Sequence, residues 1–266
     1  MKKLILTICL ALSGAVHATG VVYTIGEPQS LLLTKTFLPD RTVMAKPGAE
    51  GLLAWQSFLE DSNGVTIQPP QTVHISPGME GRKDYSAEAD LVAVMGVTHL
   101  TLITRPDMGI RKIEDLNKKQ YTIATTSENG VCSRILRKLR QEIGIDFLLV
   151  PFKTAHQGRV ALLGGHVDMH CVPGAIAQDY VSSGQGVVVA NLSKQFGFPI
   201  RYYVFVNKNM SNEQRTKIIN NLKRPINNDE KSLMAQSGIN LDSYFGEDAK
   251  AIFLKERILF QKLLNF

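Results

Sequence analysis

The chain has 266 residues, 44% of them hydrophobic and 20% charged, with 30 Lys+Arg against 24 Asp+Glu for a net charge of +6. That length and balance describe a folded chain with one large or two medium hydrophobic cores, and exclude an intrinsically disordered one. No run of five or more Lys or Arg occurs, which excludes a dedicated nucleic-acid binder and leaves an acidic small ligand open.

The N-terminus reads as a leader. Lys2 and Lys3 precede an apolar run over residues 4–12, and the small residues Ser13, Gly14, Ala15 and Ala18 follow. A basic start, an apolar stretch too short to span a bilayer and a small-residue ending are what a signal peptidase reads, so residues 1–18 are expected to be removed after Ala18. The remaining chain, 19–266, is then exported and periplasmic, with no second apolar stretch long enough for a membrane span. Cys9 leaves with the leader, and no Cys stands at the cleavage point to take a lipid. Cys132 and Cys171 remain, and the sequence leaves two readings open, a disulfide or two buried thiols.

Beyond the leader the pattern is strand, short Gly/Ser/Pro loop, amphipathic helix, used repeatedly. Residues 21–25 read as a strand, Gly26-Glu27-Pro28-Gln29-Ser30 as a loop, and residues 31–38 as a helix capped by Ser30. Residues 41–46 read as a strand, and the loop Pro47-Gly48-Ala49-Glu50-Gly51 leads to a helix over 52–61 with Leu52, Trp55 and Leu59 on one face. Tyr121–Thr125 is the next strand. Ser127, Glu128, Asn129 and Gly130 form its loop, and a helix follows with Val131, Ile135, Leu139 and Ile143 inward. Its charged residues Arg134, Arg137, Lys138 and Arg140 read as a solvated face. Residues 147–150 form a strand, 151–154 a loop, and a short helix ends at Gly164-Gly165 before a strand over 167–172. A strand over 202–206 comes next. A helix opened by Ser211, with Gln214 three residues on, and a last helix after Gly246 carrying Ile252, Leu259 and Leu263 complete the chain. Such alternation specifies an α/β protein with mainly parallel or mixed sheets, whose ligands bind at the carboxyl ends of strands.

Three of these loops aim a helix N-terminus, with its unpaired N–H groups, beyond a strand end. Gly26, Gly48, Gly51 and Gly130 let the backbone approach a ligand, and Gln29, Ser30, Ser127, Asn129 and Ser133 add neutral hydrogen-bonding groups. Such a set suits a carboxylate. Catalytic signatures are absent: there is no G-x-S-x-G, Walker loop, H-E-x-x-H or C-x-x-C, and no cofactor or metal is expected. Two enzymatic alternatives are carried forward. Cys132 near a helix start is a candidate thiolate, and His166, Asp168 and His170 would share one face if the strand included them all.

The motifs in their order resemble the substrate-binding proteins of tripartite tricarboxylate transporters, also called the Bug family of extracytoplasmic solute receptors. Lys46-Pro47-Gly48-Ala49-Glu50-Gly51 is similar to the family's R-P-G-A-G-G loop. Pro151-Phe152-Lys153-Thr154, with Leu162-Leu163-Gly164-Gly165-His166-Val167-Asp168, is similar to its P-Y-K-G…L-L-G-G-x-v-D stretch. Asp61 to Thr66 resembles the P-D-G-Y-T turn, and Ser127 to Ser133 sits where the family has its G-x-G-S loop. The first loop departs: it lacks the family's Gly pair and Asp, and carries Glu27 instead. The resemblance implies a non-enzymatic, two-lobed periplasmic-binding-protein-like fold of type II, each lobe a mixed sheet flanked by helices. Lobe one would be residues 19–104 plus 200–266 and lobe two 105–198, with crossings near Arg105 and Pro199. A small carboxylate would lie in the cleft between them, to be delivered to membrane permease subunits or read by a sensor protein. The implied ligand contacts are Gly26, Gln29, Ser30, Gly48, Ala49, Ser127, Asn129, Gly130, Ser133, Phe152, Lys153, Thr154 and Asp168.

Overall fold

In the computed structural model residues 20–78, 83–116 and 120–264 are described, the side chains of Glu50, Leu263 and Leu264 aside. The leader and Cys9 lie outside the described residues. Short β-branched and aromatic runs build two sheets. The first contains β1 (Val21–Thr24), β2 (Thr42–Ala45), β3 (Val65–Gln68), β4 (Ala89–Thr98), β10 (Ile200–Asn207) and β11 (Tyr244–Phe245), ordered β11-β4-β10-β3-β1-β2. The second contains β5 (Leu100–Thr104), β6 (Tyr121–Thr125), β7 (Phe147–Pro151), β8 (Met169–Pro173) and β9 (Val187–Asn191), ordered β7-β6-β8-β5-β9. Both are mixed. β1 runs parallel to β2 and β3, while β10 is antiparallel to β3 and β4. β6 runs parallel to β7 and β8, and β5 is antiparallel to β8 and β9.

Helices cover both faces of each sheet. On the first sheet, α1 (Pro28–Phe37), α7 (Asn212–Lys223) and α8 (Asn228–Gln236) bury Leu33, Phe37, Ile218, Leu222 and Met234 against Val22, Val65, Ile67 and Val204. On its other face, α2 (Leu52–Glu60) and α9 (Gly246–Leu264) place Trp55, Phe58, Ala249 and Phe253 against Tyr23, Val94, Tyr203 and Phe205. Arg201 ties that layer to the sheet. Its guanidinium pairs with Glu256 of α9 at 2.8 Å and with Asp242 at 2.7 Å, and the Tyr203 hydroxyl also donates to Glu256. Burial pushes the Glu256 carboxyl up, opposed by those bonds.

The second sheet is packed by α3 (Val131–Ile143) and α6 (Leu192–Phe196) on one side, and by α4 (Ala155–Leu163) and α5 (Gly174–Ser182) on the other. The core under α3 also takes in Ile75, Ile200 and Phe260 from the first unit, so the two units share an apolar seam. Cys132 and Cys171 form a disulfide, with Cα atoms 5.9 Å apart, joining the first turn of α3 to the middle of β8.

Three expectations are corrected. The chain enters the second sheet at His99, not at Arg105: β4 ends at Thr98 and β5 begins at Leu100, so 100–104 belong with the second sheet. The return segment lies between α6, ending at Phe196, and β10, beginning at Ile200. α1 begins at Pro28, whose fixed φ suits a first helical position, so Ser30 lies inside the helix and is not its cap. The buried Ser30 hydroxyl instead meets Thr24 Oγ1 at 2.9 Å and donates to the Glu27 carbonyl. Finally, β8 begins at Met169, after a turn formed by residues 164–168. His166 is exposed in that turn while His170 is fully buried, so the His166, Asp168, His170 face does not form. No metal-binding group of three His, Cys, Asp or Glu occurs among the described residues.

Candidate binding site at the facing strand ends

Strand direction decides which loops meet. Because β1, β2 and β3 are parallel, the loops after them, residues 25–27, 46–51 and 69–71, lie along one edge of the first sheet. β10 starts and β4 ends at that same edge, with Tyr203 opposite Gln68 and Ile200 opposite Thr98. In the second sheet the ends of β6, β7 and β8 place residues 126–130, 152–154 and Gly174 together, beside the start of β5. The two edges face one another. A Cβ built on Gly130 would lie 3.1 Å from Gln71 Oε1, and one on Gly238 would lie 2.7 Å from the Gly174 carbonyl carbon. Gly238 has φ 66°, a region that favours glycine, and its backbone touches that of Gly174 with no room for a side chain.

Four helices opening on this rim are uncapped. Glu27, Gly51, Gly130 and Pro173 stand at the N-caps of α1, α2, α3 and α5, and none makes a side-chain cap hydrogen bond. The remaining caps are regular, on this edge at α4 and α6 and away from it at α7 and α8: Thr154, Asn191, Ser211 and Asn227 each accept an amide in the first turn. Uncapped first-turn amides with the positive end of the helix dipole behind them suit an anion.

The second-sheet rim is braced from within. Ser133, fully buried, donates to the Ser127 carbonyl at 2.5 Å and to Thr125 Oγ1 at 3.1 Å, and the Asn129 amide donates to Ser127 Oγ. Arg134 and Arg137 fold back from α3 onto the carbonyls of Asn129 and Glu128, so that these two hold the loop instead of facing solvent alone. The Phe152 amide is engaged by Thr125, that of Lys153 by Gln157 Oε1, and Thr154 caps α4. The Asp168 carboxylate accepts from the Thr122 amide and hydroxyl at 2.8 and 2.9 Å, clamping β6 to the turn before β8. Ser133, Phe152, Thr154 and Asp168 therefore hold this rim in shape, leaving Ser127, Asn129, Gly130 and the first turn of α3 at its surface.

The first-sheet rim has the opposite character. Gly26 donates its amide back to Thr24 Oγ1 at 2.7 Å. In the second loop Gly48 (φ 111°), Ala49 (φ 45°) and Gly51 (φ 92°) are all left-handed, and Ala49 is the one non-glycine residue so placed among the described residues. Only glycine fits at Gly51, since a Cβ there would lie 2.1 Å from Thr72 Oγ1. Several side-chain groups on this edge have no hydrogen-bond partner although buried: both amide atoms of Gln29, Gln68 Oε1, Thr98 Oγ1 and, at the strand junction, His99 Nδ1. Unmet buried polar groups cost stability and are rare away from functional sites. Glu27 caps nothing; its carboxyl turns to the buried Tyr202 hydroxyl, which donates to it at 3.4 Å. Burial raises the Glu27 carboxyl to about 7 against that one bond.

Gln68, Gln71, Thr98, His99 and Tyr202 were not foreseen. Gln68 carries the one readable signal, a polar residue closing the apolar run of β3 just before Pro69-Pro70.

No family profile matches the sequence, and no curated protein does. Solved structures do. A TctC solute binding protein from Polaromonas aligns with TM-score 0.66 and 16% identity over 92% of this chain and 96% of its own, and the periplasmic binding protein BugD with 0.73 and 17% over 92% and 96%. The fold is that of these periplasmic binding proteins. A third protein of this periplasmic-binding fold, Rpa4515 from R. palustris with adipate, gives TM-score 0.76 at 10% identity over 92% of this chain and 95% of its own. Two mixed sheets flanked by helices are common to the set and to this chain.

Proposed function

We propose that the chain is an exported solute receptor of the tripartite tricarboxylate transporter type, binding a small carboxylate between the facing strand ends and passing it to membrane permease subunits. The observation that carries this reading is that four helices, α1, α2, α3 and α5, open on the shared rim without a side-chain cap, so their first-turn amides are left for a ligand. The adipate held by Rpa4515 supports the ligand class by analogy of fold. The contacts assigned to the ligand are the strained Gly48-Ala49 loop, Gln29, Ser127, Asn129 and the Gly130 end of α3. No catalytic step is required, since Cys132 is tied in a disulfide and His166 and His170 lie apart. Among the described residues no helix is long and apolar enough to cross a membrane.

A thermal-shift and calorimetric screen of the protein without its leader, across mono-, di- and tricarboxylates and amino acids, tests this. A binder raises Tm in step with its concentration, as RT ln(1 + [L]/Kd) requires. Ser127→Ala weakens the response without loss of fold. A folded protein that answers none of them removes the reading.

A further inference from the structure

The rim is chemically polarised. On the second-sheet side the free groups are donors, the first-turn amides of α3 behind Gly130. On the first-sheet side the unpartnered groups include acceptors: Gln68 Oε1, the Gln29 carbonyl and the Glu27 carboxyl. Gln68 gives one N–H of its amide to Thr66 Oγ1, and its oxygen has no partner. Among the described residues no Lys, Arg or His pairs with Glu27, and Tyr202 is its sole side-chain partner. Two cations of the first unit are committed elsewhere. Lys46 donates to Ser57 at 2.7 Å, and Arg201 is held by Asp242 and Glu256.

From this geometry we infer that the solute is a carboxylate carrying a protonated amine, with its carboxylate on the α3 amides and its ammonium on Glu27. This rests on the receptor reading above and narrows its ligand class. A half-buried carboxylate without a cation repels a plain di- or tricarboxylate at the first loop, whereas an ammonium supplies Glu27 with the positive partner it lacks. The groups that face Glu27 are Tyr202 from β10 and the neutral Gln29 and Ser30 of α1, whose first turn holds no other acid. Lys46 of the second loop and His99 at the β4–β5 junction are further titratable groups on this edge, and Lys153 stands exposed on the opposite rim.

Matched pairs of probes decide it: L-glutamate against glutarate, L-aspartate against succinate, and 4-aminobutyrate against butyrate, titrated by calorimetry at pH 5.5 and 8. At pH 8 each amine-bearing acid is expected to bind at least about tenfold tighter than its partner, the scale of one charge-assisted hydrogen bond. Its affinity rises as pH passes about 7, where Glu27 ionises, while that of the amine-free acid falls. Glu27→Gln keeps the shape and should erase both the preference and the opposed slopes. Equal or tighter binding of the amine-free acids by the wild-type chain overturns the inference and leaves the receptor reading standing, as does a preference that survives Glu27→Gln. Silence of the folded wild-type chain toward every probe removes the receptor reading, and the inference with it. The wild-type pH arm stands without the variant, so a misfolded Glu27→Gln does not shelter the idea.

Discussion

The two rims solve opposite problems. The second-sheet rim satisfies its own polar groups, through Ser133, Arg134, Arg137, Gln157 and the Asp168–Thr122 clamp, and a disulfide pins the helix behind it. The first-sheet rim leaves Gln29, Gln68 and Thr98 unmet, strains Ala49 and buries a lone carboxyl. One side is a preorganised row of amides and the other is a set of side chains that gain from a partner. On the receptor reading proposed above, binding energy is concentrated on the first unit and geometric precision on the second.

The contrast can be broken from either side. Arg201→Ala strips the cation from Glu256, which is 4% exposed, and should cost the largest amount, about 3–5 kcal/mol in urea unfolding, because a buried charge loses its partner. Replacing both Cys132 and Cys171 by Ala removes a link across a separation of 39 residues and should cost about 2–4 kcal/mol, with the α3 loop the first region to lose hydrogen-exchange protection. Glu27→Gln moves stability the other way. A carboxyl raised from 4.5 to about 7 takes up a proton on folding, so the wild-type chain is steadily less stable as pH rises through that window. The variant should therefore match wild type near pH 4.5 and exceed it by about 1–3 kcal/mol at pH 8, read from paired denaturation curves. Ala49→Gly relieves a left-handed alanine at the cost of backbone entropy, and should shift stability by less than about 1 kcal/mol while loosening ligand binding.

Much of this architecture was legible from local patterns. β6 and the start of α3 follow from period and Gly130, and Ser211 caps α7 through the Gln214 amide as its spacing indicates. What escaped the sequence was tertiary. Pro28 sets the start of α1 two residues before Ser30, and a turn keeps Val167 and Asp168 out of β8. At the proposed site, Gly48, Ser127 and Gly130 are marked by loop chemistry and Ala49 by the family resemblance alone. Gln68 reaches the edge through the parallel pairing of β3 with β1, and Thr98 and Tyr202 through the antiparallel pairing of β10 with β3 and β4, partners distant in the chain. That the amides of Phe152 and Lys153 are already engaged also depends on neighbours that spacing does not reveal.

The step from β4 to β5 takes a single residue, so Thr98 and Leu100 are consecutive members of what is almost one ribbon running through both sheets. A ribbon with a one-residue joint has no slack. It forbids the units to slide or separate at that point and leaves torsion about His99 as the freedom remaining to them, shared with the return segment at Pro199. Any opening between the rims must therefore be a rotation, with the largest travel farthest from His99. Its amplitude is written in two backbone dihedrals beside Thr98, a buried residue whose unmet hydroxyl lies on the rim itself.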